Sequence, residues 1–318
     1  MSGGTDISRR QALAAAASAA SVLAVTRTSQ GAPQLGGRSP SAFRFCLNTG
    51  TLRGYKLAIE QEIEIASKAA YDSIEPWMDR LNDFVTRGGS LKDLRKRIAD
   101  TGMTVESVVG FAPWLADDEA KRAQGLEQIK RDMAAIAEIG GKRIAAPPAG
   151  ATSEPVLDLR RIVERYRAIL EIGDKLGVTA QLEIWGASKN VGRLSDAAFV
   201  AIESDHPRSC VLPDVFHLYK GGSGFGGLRL LSNRMIQVFH MNDYPDDPPR
   251  EKAADRDRVL PGDGIAPLSQ VLRDLADNGG GQALSLELFN PALWKQDALG
   301  VARTGLAKMK EAVRKALG

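Results

Sequence analysis

Short apolar runs alternate with amphipathic stretches eight times between residue 43 and residue 318, and this alternation restricts the fold more than any other feature of the sequence. Strands that alternate with helices pair in parallel through right-handed crossovers. We therefore predict an α/β fold, a single closed (β/α)₈ barrel, because eight such units in about 275 residues match the usual size of that fold. A doubly wound open sheet is the alternative, and the missing Gly-x-Gly-x-x-Gly after the first run disfavours it. The predicted strands are 43–47, 73–77, 104–111, 142–146, 179–185, 210–216, 236–241 and 283–289.

The first 30 residues have a different composition from the rest. Arg9 and Arg10 precede an alanine-rich apolar run that ends near Val25, a pattern typical of a twin-arginine export signal. The run is shorter than the ~20 residues that cross a bilayer as a stable helix. We predict a twin-arginine signal peptide over 1–30, a flexible linker over 31–42 and the barrel over 43–318. These predictions imply a periplasmic protein whose mature form has no stable membrane span.

Composition excludes several classes of protein. The hydrophobic fraction of 43% and the charged fraction of 25% are ordinary for a globular chain. The net charge is +3, and most of it lies in the first 30 residues, so the body offers no basic footprint for nucleic acid. Two cysteines, Cys46 and Cys210, make neither a disulfide framework nor a cysteine-rich zinc site. We expect both to be buried thiols.

Four polar residues interrupt the apolar runs of the last four predicted strands: Glu183, Asp214, His240 and Glu287. In a barrel, chemistry lies at the carboxyl ends of the strands, so these side chains are expected to converge. Each alone has an ordinary explanation, such as a helix cap, a salt bridge or a buried hydrogen bond. Together, three carboxylates in a low-dielectric mouth repel one another, and a divalent cation removes that conflict. We predict one divalent metal ion, with Mn²⁺ favoured and Mg²⁺, Co²⁺ or Zn²⁺ as alternatives.

These residues and their spacing resemble the xylose-isomerase-like TIM-barrel superfamily, which includes ketose 3-epimerases, inosose dehydratases and endonuclease IV. The resemblance spans about residues 43–316, and it is most specific in Asp-Val-Phe-His (214–217), His-Met-Asn-Asp (240–243) and Arg-Val-Leu-Pro-Gly-Asp-Gly (258–264). It implies that His217 and Arg258 bind substrate, with Arg256 as the alternative arginine. Ketose 3-epimerases commonly carry a glutamate where this chain has Lys189, which lowers the expectation of a free ketohexose.

Further residues are candidates for a carbohydrate pocket. Trp77, Trp114, Trp185 and Phe289 lie at predicted strand ends, where they either face the sugar or pack within the barrel. Glu75 either contacts substrate or forms a structural salt bridge. Lys189 either meets a carboxylate, carbonyl or hydroxyl of the substrate or is an exposed loop residue. The glycine-rich stretch 221–227 is a candidate lid.

The resemblance implies proton abstraction next to a carbonyl, with Glu183 and Glu287 as base and acid on two faces of a small carbohydrate. Return of the proton gives epimerisation or aldose–ketose isomerisation. Loss of a β-oxygen substituent gives a dehydratase or glycoside lyase instead. A non-catalytic sugar-binding barrel is the third hypothesis. An endonuclease-IV-like enzyme is disfavoured, because three histidines and a near-neutral body do not supply its zinc cluster and basic groove. The substrate, its phosphorylation and self-association as a homo-oligomer are left open.

Overall fold

The computed structural model describes residues 43–318 together with Met1. The predicted signal peptide over 1–30 and the linker over 31–42 lie outside the described residues and stay predictions. None of the helices in the described residues combines the length and apolar composition needed to cross a bilayer.

Short parallel strands form the centre of the described part of the chain. They are β1 (Arg44–Asn48), β2 (Ser73–Glu75), β3 (Thr104–Val105), β4 (Val108–Val109), β5 (Arg143–Ala146), β6 (Thr179–Glu183), β7 (Val211–Leu212), β8 (Val238–Met241) and β9 (Ala283–Leu286). They pair in the orders β3-β2-β1-β9-β8 and β4-β5-β6-β7. Every pairing between them is parallel, as crossover connections require.

Isolated backbone bridges join the two sheets into one barrel. Trp77 bridges Val109, which links the end of β2 to β4, and His240 bridges Asp214, which links β8 to the end of β7. The predicted strand 104–111 is interrupted, because residues 106–107 leave the ladder between β3 and β4. With β3 and β4 counted as halves of one strand, the barrel has eight strands, and the fold prediction is confirmed.

Helices connect the strands and cover the outside of the barrel. They are α1 (Ile59–Lys68), α2 (Met78–Thr86), α3 (Leu91–Asp100), α4 (Glu119–Glu138), α5 (Leu159–Leu176), α6 (Leu194–Glu203), α7 (Val215–Lys220), α8 (Leu268–Asp277) and α9 (Ala298–Leu317). Asp158 begins α5 by accepting a hydrogen bond from the backbone N–H of Arg160. Gly177 ends it with a left-handed φ of 72°, a conformation that favours glycine.

The inside of the barrel is filled by one small layer of side chains, contributed by Cys46, Val109, Ala145, Leu212, Val238 and Ala283. Small residues fit there because six strands converge on one axis. Cys46 and Cys210 are both buried and unpaired, in agreement with the prediction. The large hydrophobic core lies between the strands and the surrounding helices.

A buried carboxylate, Glu106, is paired with two arginines at the end of the barrel where the strands begin. Glu106 accepts hydrogen bonds from Arg44 at 2.9 Å and from Arg143 at 2.8 Å. The Nε of Arg143 donates to Gln237 Oε1 at 2.7 Å. The last helix, α9, returns toward this end, and Lys310 Nζ lies 5.6 Å from the ring of Phe45 at the start of β1.

Candidate metal centre and active site

The predicted metal ligands lie at the end of the barrel where the strands finish. Glu183 is the last residue of β6, and Glu287 follows β9 directly. His240 lies in β8, and Asp214 follows β7, where its Oδ1 accepts from the backbone N–H of His217 at 2.8 Å and caps α7. All four side chains are buried.

The four side chains meet around one imidazole nitrogen. His240 Nδ1 lies 3.2 Å from Glu287 Oε2, 3.8 Å from Asp214 Oδ2 and 4.0 Å from Glu183 Oε1. One ligand atom from each of Asp214, His240 and Glu287 lies within 4.8 Å of the other two. The structure therefore brings together the residues that the sequence singled out.

Unpaired polar atoms test whether this cluster fits a metal ion. His240 Nδ1 and Glu183 Oε2 are buried and make no hydrogen bond. Buried polar atoms without partners are rare and costly in folded proteins. One imidazole nitrogen and three carboxylates form a donor set that suits a divalent cation. The residues present fit such an ion.

Glu75 lies beneath the cluster and holds His240. Its Oε2 is 3.0 Å from His240 Nε2 and accepts from Asn48 Nδ2 at 3.0 Å and from Ser285 Oγ at 2.6 Å. A carboxylate on one ring nitrogen directs the lone pair of the other nitrogen toward a metal. Glu75 is thus placed to orient His240 Nδ1 toward the three carboxylates.

Two asparagines that the sequence analysis missed tie the ligands together. Asn48, at the end of β1, also donates to Glu287 Oε1 at 3.1 Å, while its Oδ1 accepts from Trp77 Nε1 at 2.8 Å. Asn242 donates to Asp214 Oδ2 at 2.8 Å. Both asparagines lie in register with the ligands at strand ends, and that position was the signal that could have revealed them.

Arg258 enters the cluster from the loop after β8. It is buried, and its Nη1 donates to Asp214 Oδ2 and to Glu287 Oε2 at 2.9 Å each. Its Nη2 donates to Asp255 at 2.7 Å and lies 3.1 Å from His217 Nε2. Arg256, in contrast, is exposed, so Arg258 is the arginine that faces the site.

A cavity of about 600 Å³ opens above these residues. Of the predicted residues it exposes Glu183, His217, Arg258 and Glu287 to a ligand. The other lining residues are Trp77, Val109, Phe111, Thr152, Ser153, Trp185, Ala187, Ser188, Asp255 and Phe289. A cleft of this size with convergent polar groups at its base is typical of an active site.

Residues 63–312 match the family described as xylose isomerase-like TIM barrel. The chain belongs to this family.

Relatives and solved structures agree with that assignment. The inosose isomerase of Bacillus licheniformis is 27% identical over 86% of this chain and 98% of its own length. The 3-dehydro-D-guloside 4-epimerase of Escherichia coli is 26% identical over 68% of this chain and 85% of its own. The crystal structure of the IOLI protein with a bound zinc atom superposes with a TM-score of 0.80, at 24% identity, covering 86% of this chain and 99% of that one. The prediction of an enzyme of the isomerase and epimerase kind is confirmed by these relatives.

Three predicted substrate contacts of this xylose isomerase-like barrel need correction. Trp114 is 1% exposed, and its indole N–H donates to the Pro147 carbonyl at 2.7 Å, so it packs in the core. Lys189 lies outside the cavity lining, with 58% of its side chain exposed, and forms an ion pair with Glu154 at 2.6 Å. Glu75 is buried under His240 and does not line the cavity.

The position of residues 221–227, the predicted lid, does not support that role. Residues 221–227 follow α7, and a 3-10 helix begins among them at Phe225. None of these residues lines the cavity described above.

Burial and neighbouring charges give different pKa values to Glu183 and Glu287, the two carboxylates that line the cavity of this family member. Burial, assisted by Glu287 and Asp214 and opposed by His240, raises the pKa of Glu183 to about 8. Burial also acts to raise the pKa of Glu287, but His240 and Arg258 outweigh it and hold that pKa below its ordinary value. The same surroundings therefore set the pKa of Glu183 above that of Glu287.

Proposed function

We propose that this chain is a divalent-metal-dependent isomerase or epimerase of a keto-sugar or inosose. The observation that carries the proposal is the buried Nδ1 of His240, which makes no hydrogen bond and faces the carboxylates of Glu183, Asp214 and Glu287 at the base of a sugar-sized cavity. The names of the two curated relatives support the substrate class, since both are enzymes that act on oxidised cyclic polyols or sugars.

The residues that would hold the metal are Glu183, Asp214, His240 and Glu287. When bound, a divalent ion polarises a carbonyl and stabilises the negative charge that develops on its oxygen. Mn²⁺ is our first choice from the donor set, and the zinc of the IOLI protein makes Zn²⁺ the second.

Glu183 and Glu287 then move the proton. Both carboxyl groups line the cavity and belong to different strand ends, so they approach a bound sugar from different directions. One removes the proton from the carbon next to the carbonyl, which leaves an enediolate, and the other returns a proton. Arg258 and His217 border the same space and are placed to orient substrate oxygens. Asn48 keeps the Glu287 carboxylate in position through its bond to Oε1.

Proton exchange with solvent tests the proposal directly. Protein loaded with Mn²⁺ is incubated in D₂O with a panel of inososes, 3-keto-glycosides and ketohexoses, and deuterium at the carbon next to the carbonyl is followed by NMR. We expect metal-dependent exchange that Glu183→Gln and Glu287→Gln abolish. Formation of an unsaturated ketone in the same samples would assign the alternative, a dehydratase or glycoside lyase. Sugar binding without exchange across the whole panel would instead assign the non-catalytic barrel.

A further inference from the structure

Aromatic rings form a continuous wall on one side of the cavity. Ring centroids are 5.9 Å apart from Phe289 to Trp77, 5.2 Å from Trp77 to Phe111 and 5.8 Å from Phe111 to Trp185. We call Trp77, Phe111 and Trp185 the aromatic wall. The charged residues of the same cavity come mainly from the loops after β7 and β8, so the cavity has a charged side and an apolar side.

The polar edge of Trp77 and one face of its ring are already engaged within the protein. Trp77 Nε1 donates to Asn48 Oδ1 at 2.8 Å. Arg53 covers the Trp77 ring, with Cζ 4.4 Å from its centroid. What remains for a ligand is the surface of the Phe111 and Trp185 rings, which suits apolar atoms.

Packing against Trp77 and Trp185 covers only part of Phe111. This side chain is 41% exposed, and it is the one aromatic residue among the exposed large hydrophobic side chains of residues 43–318. Exposed apolar area costs about 25 cal/mol per Å² relative to burial, and an exposed apolar surface inside a cleft marks a contact with a ligand.

The volume of the cavity also favours a ligand larger than one monosaccharide. Its volume of about 600 Å³ lies in the middle of the range of clefts that hold drug-sized ligands, roughly 300–1,000 Å³. A single monosaccharide is much smaller than such a ligand. If its carbonyl lies at Glu183 and Glu287, much of the remaining space borders Phe111.

We propose that the aromatic wall is a subsite for an apolar ring attached to the sugar, so that the substrate class is a glycoside of a keto-sugar with an apolar cyclic aglycone. The assignment of the sugar half rests on the proposed function. The assignment of the aglycone half rests on Phe111 and its neighbours. A second sugar ring is the alternative occupant, because it also stacks on aromatic rings through its C–H groups; an apolar ring is favoured because Phe111 offers no hydrogen-bonding atom to sugar hydroxyl groups.

Binding of matched glycosides tests the subsite without any turnover. Isothermal titration calorimetry compares phenyl and methyl β-D-glucopyranoside on the Mn²⁺-loaded full chain, with cellobiose as the ligand that carries a polar second ring. We expect the phenyl glycoside to bind about tenfold more tightly than the methyl glycoside, the size of one good aromatic contact. Phe111→Ala should reduce this ratio to about threefold or less. Ile202→Ala removes a 63% exposed side chain outside the cavity and should leave the ratio unchanged.

Several outcomes would overturn the subsite. They are equal affinities for the two glycosides, no binding of the phenyl glycoside, the same ratio in Phe111→Ala as in the unmodified chain, or cellobiose binding as tightly as the phenyl glycoside. Deuterium exchange on methyl 3-keto-glucoside is measured separately. Exchange without a phenyl preference refutes the subsite and leaves the proposed function intact, whereas a phenyl preference without exchange does the reverse.

Discussion

The two ends of the barrel treat buried carboxylates in opposite ways. Where the strands begin, Glu106 is matched by the guanidinium groups of Arg44 and Arg143. Where they finish, one guanidinium, Arg258, and one imidazole, His240, stand among a larger set of buried carboxylates, namely Glu75, Glu183, Asp214 and Glu287. A buried charge that lacks a matching partner is costly, so the pairing at the first end avoids a cost that a bound cation would offset at the second.

Substitution of the candidate metal ligands, at the end of the barrel where the strands finish, should have the largest effect, which is loss of the bound metal ion. His240→Ala and Glu287→Gln should each weaken Mn²⁺ binding by about a thousandfold, because the ligands of a tight protein site share roughly 10–16 kcal/mol of binding free energy. Equilibrium dialysis with elemental analysis measures this. Glu106→Gln, at the opposite end, is the control and should retain the ion. Full retention in both ligand variants would refute the four-ligand assignment.

Glu62, in α1, is another buried carboxylate, and its charge is only partly matched. A single arginine lies beside it, with Arg80 Nε 3.4 Å from Glu62 Oε1. Burial raises its pKa to about 7, against the opposing effect of Arg80. A carboxyl whose pKa is raised on folding stabilises the fold fully below its unfolded pKa, near 4.5, and loses that contribution as the pH rises through 7.

Glu62→Gln should therefore gain stability over the unmodified chain between pH 4.5 and pH 8, by up to about 3 kcal/mol in the free energy of unfolding. Urea unfolding across this pH range measures the difference. Glu64→Gln, an exposed change on the same helix, is the matched control and should follow the unmodified chain. If the Glu62→Gln and unmodified curves run parallel, the pKa of Glu62 does not change on folding, which would contradict the prediction.

The paired end should matter for stability and not for chemistry. Glu106→Gln removes the charge that Arg44 and Arg143 share and should lower the free energy of unfolding by about 2 kcal/mol, less than for a fully buried pair because both arginines are partly exposed. The rate of deuterium exchange on the best substrate should stay within about twofold. A change in exchange as large as the loss of stability would show that the two ends are coupled.

The smallest effect should come from Glu75, which touches a ligand but not the cavity. Glu75→Gln should weaken Mn²⁺ binding by about tenfold, the lower part of the range for groups that orient a ligand, because Asn48 and Ser285 still hold the side chain. Ser285→Ala, which removes one hydrogen bond to Glu75, should weaken binding by less. Unchanged affinity in Glu75→Gln would mean that the backbone of β8 alone orients His240.

Much of the barrel and the core of the site could be predicted from the sequence. Helical periodicity between apolar runs is a strong local signal, and it predicts the eight alternating units of strand and helix. Glu183, Asp214, His240 and Glu287 were recognisable because a polar residue inside an apolar run needs an explanation. The interruption of the third strand was not predictable, because the sequence continues as apolar and polar residues on both sides of Glu106 without a turn signal.

The roles of the other site residues depend on how far along the barrel axis each side chain lies, and the sequence does not specify that distance. Glu75 and Trp77 are two residues apart, and a strand rises about 3.3 Å per residue. That difference puts Glu75 under His240 and Trp77 on the cavity wall. Trp114 comes only three residues after Phe111, yet the loop turns it into the core. Asp255 was missed because its role arises from a loop contact with Arg258.

The path of α9 has a practical consequence. The helix returns from the mouth toward the start of β1, so Phe43 and Gly318 lie at the pole of the barrel that faces away from the cavity. A tag added after Gly318 therefore attaches behind the active site. A chain tethered to a sensor surface through Gly318 should present its open mouth to the solution, which makes surface-based ligand titration a natural assay for this protein.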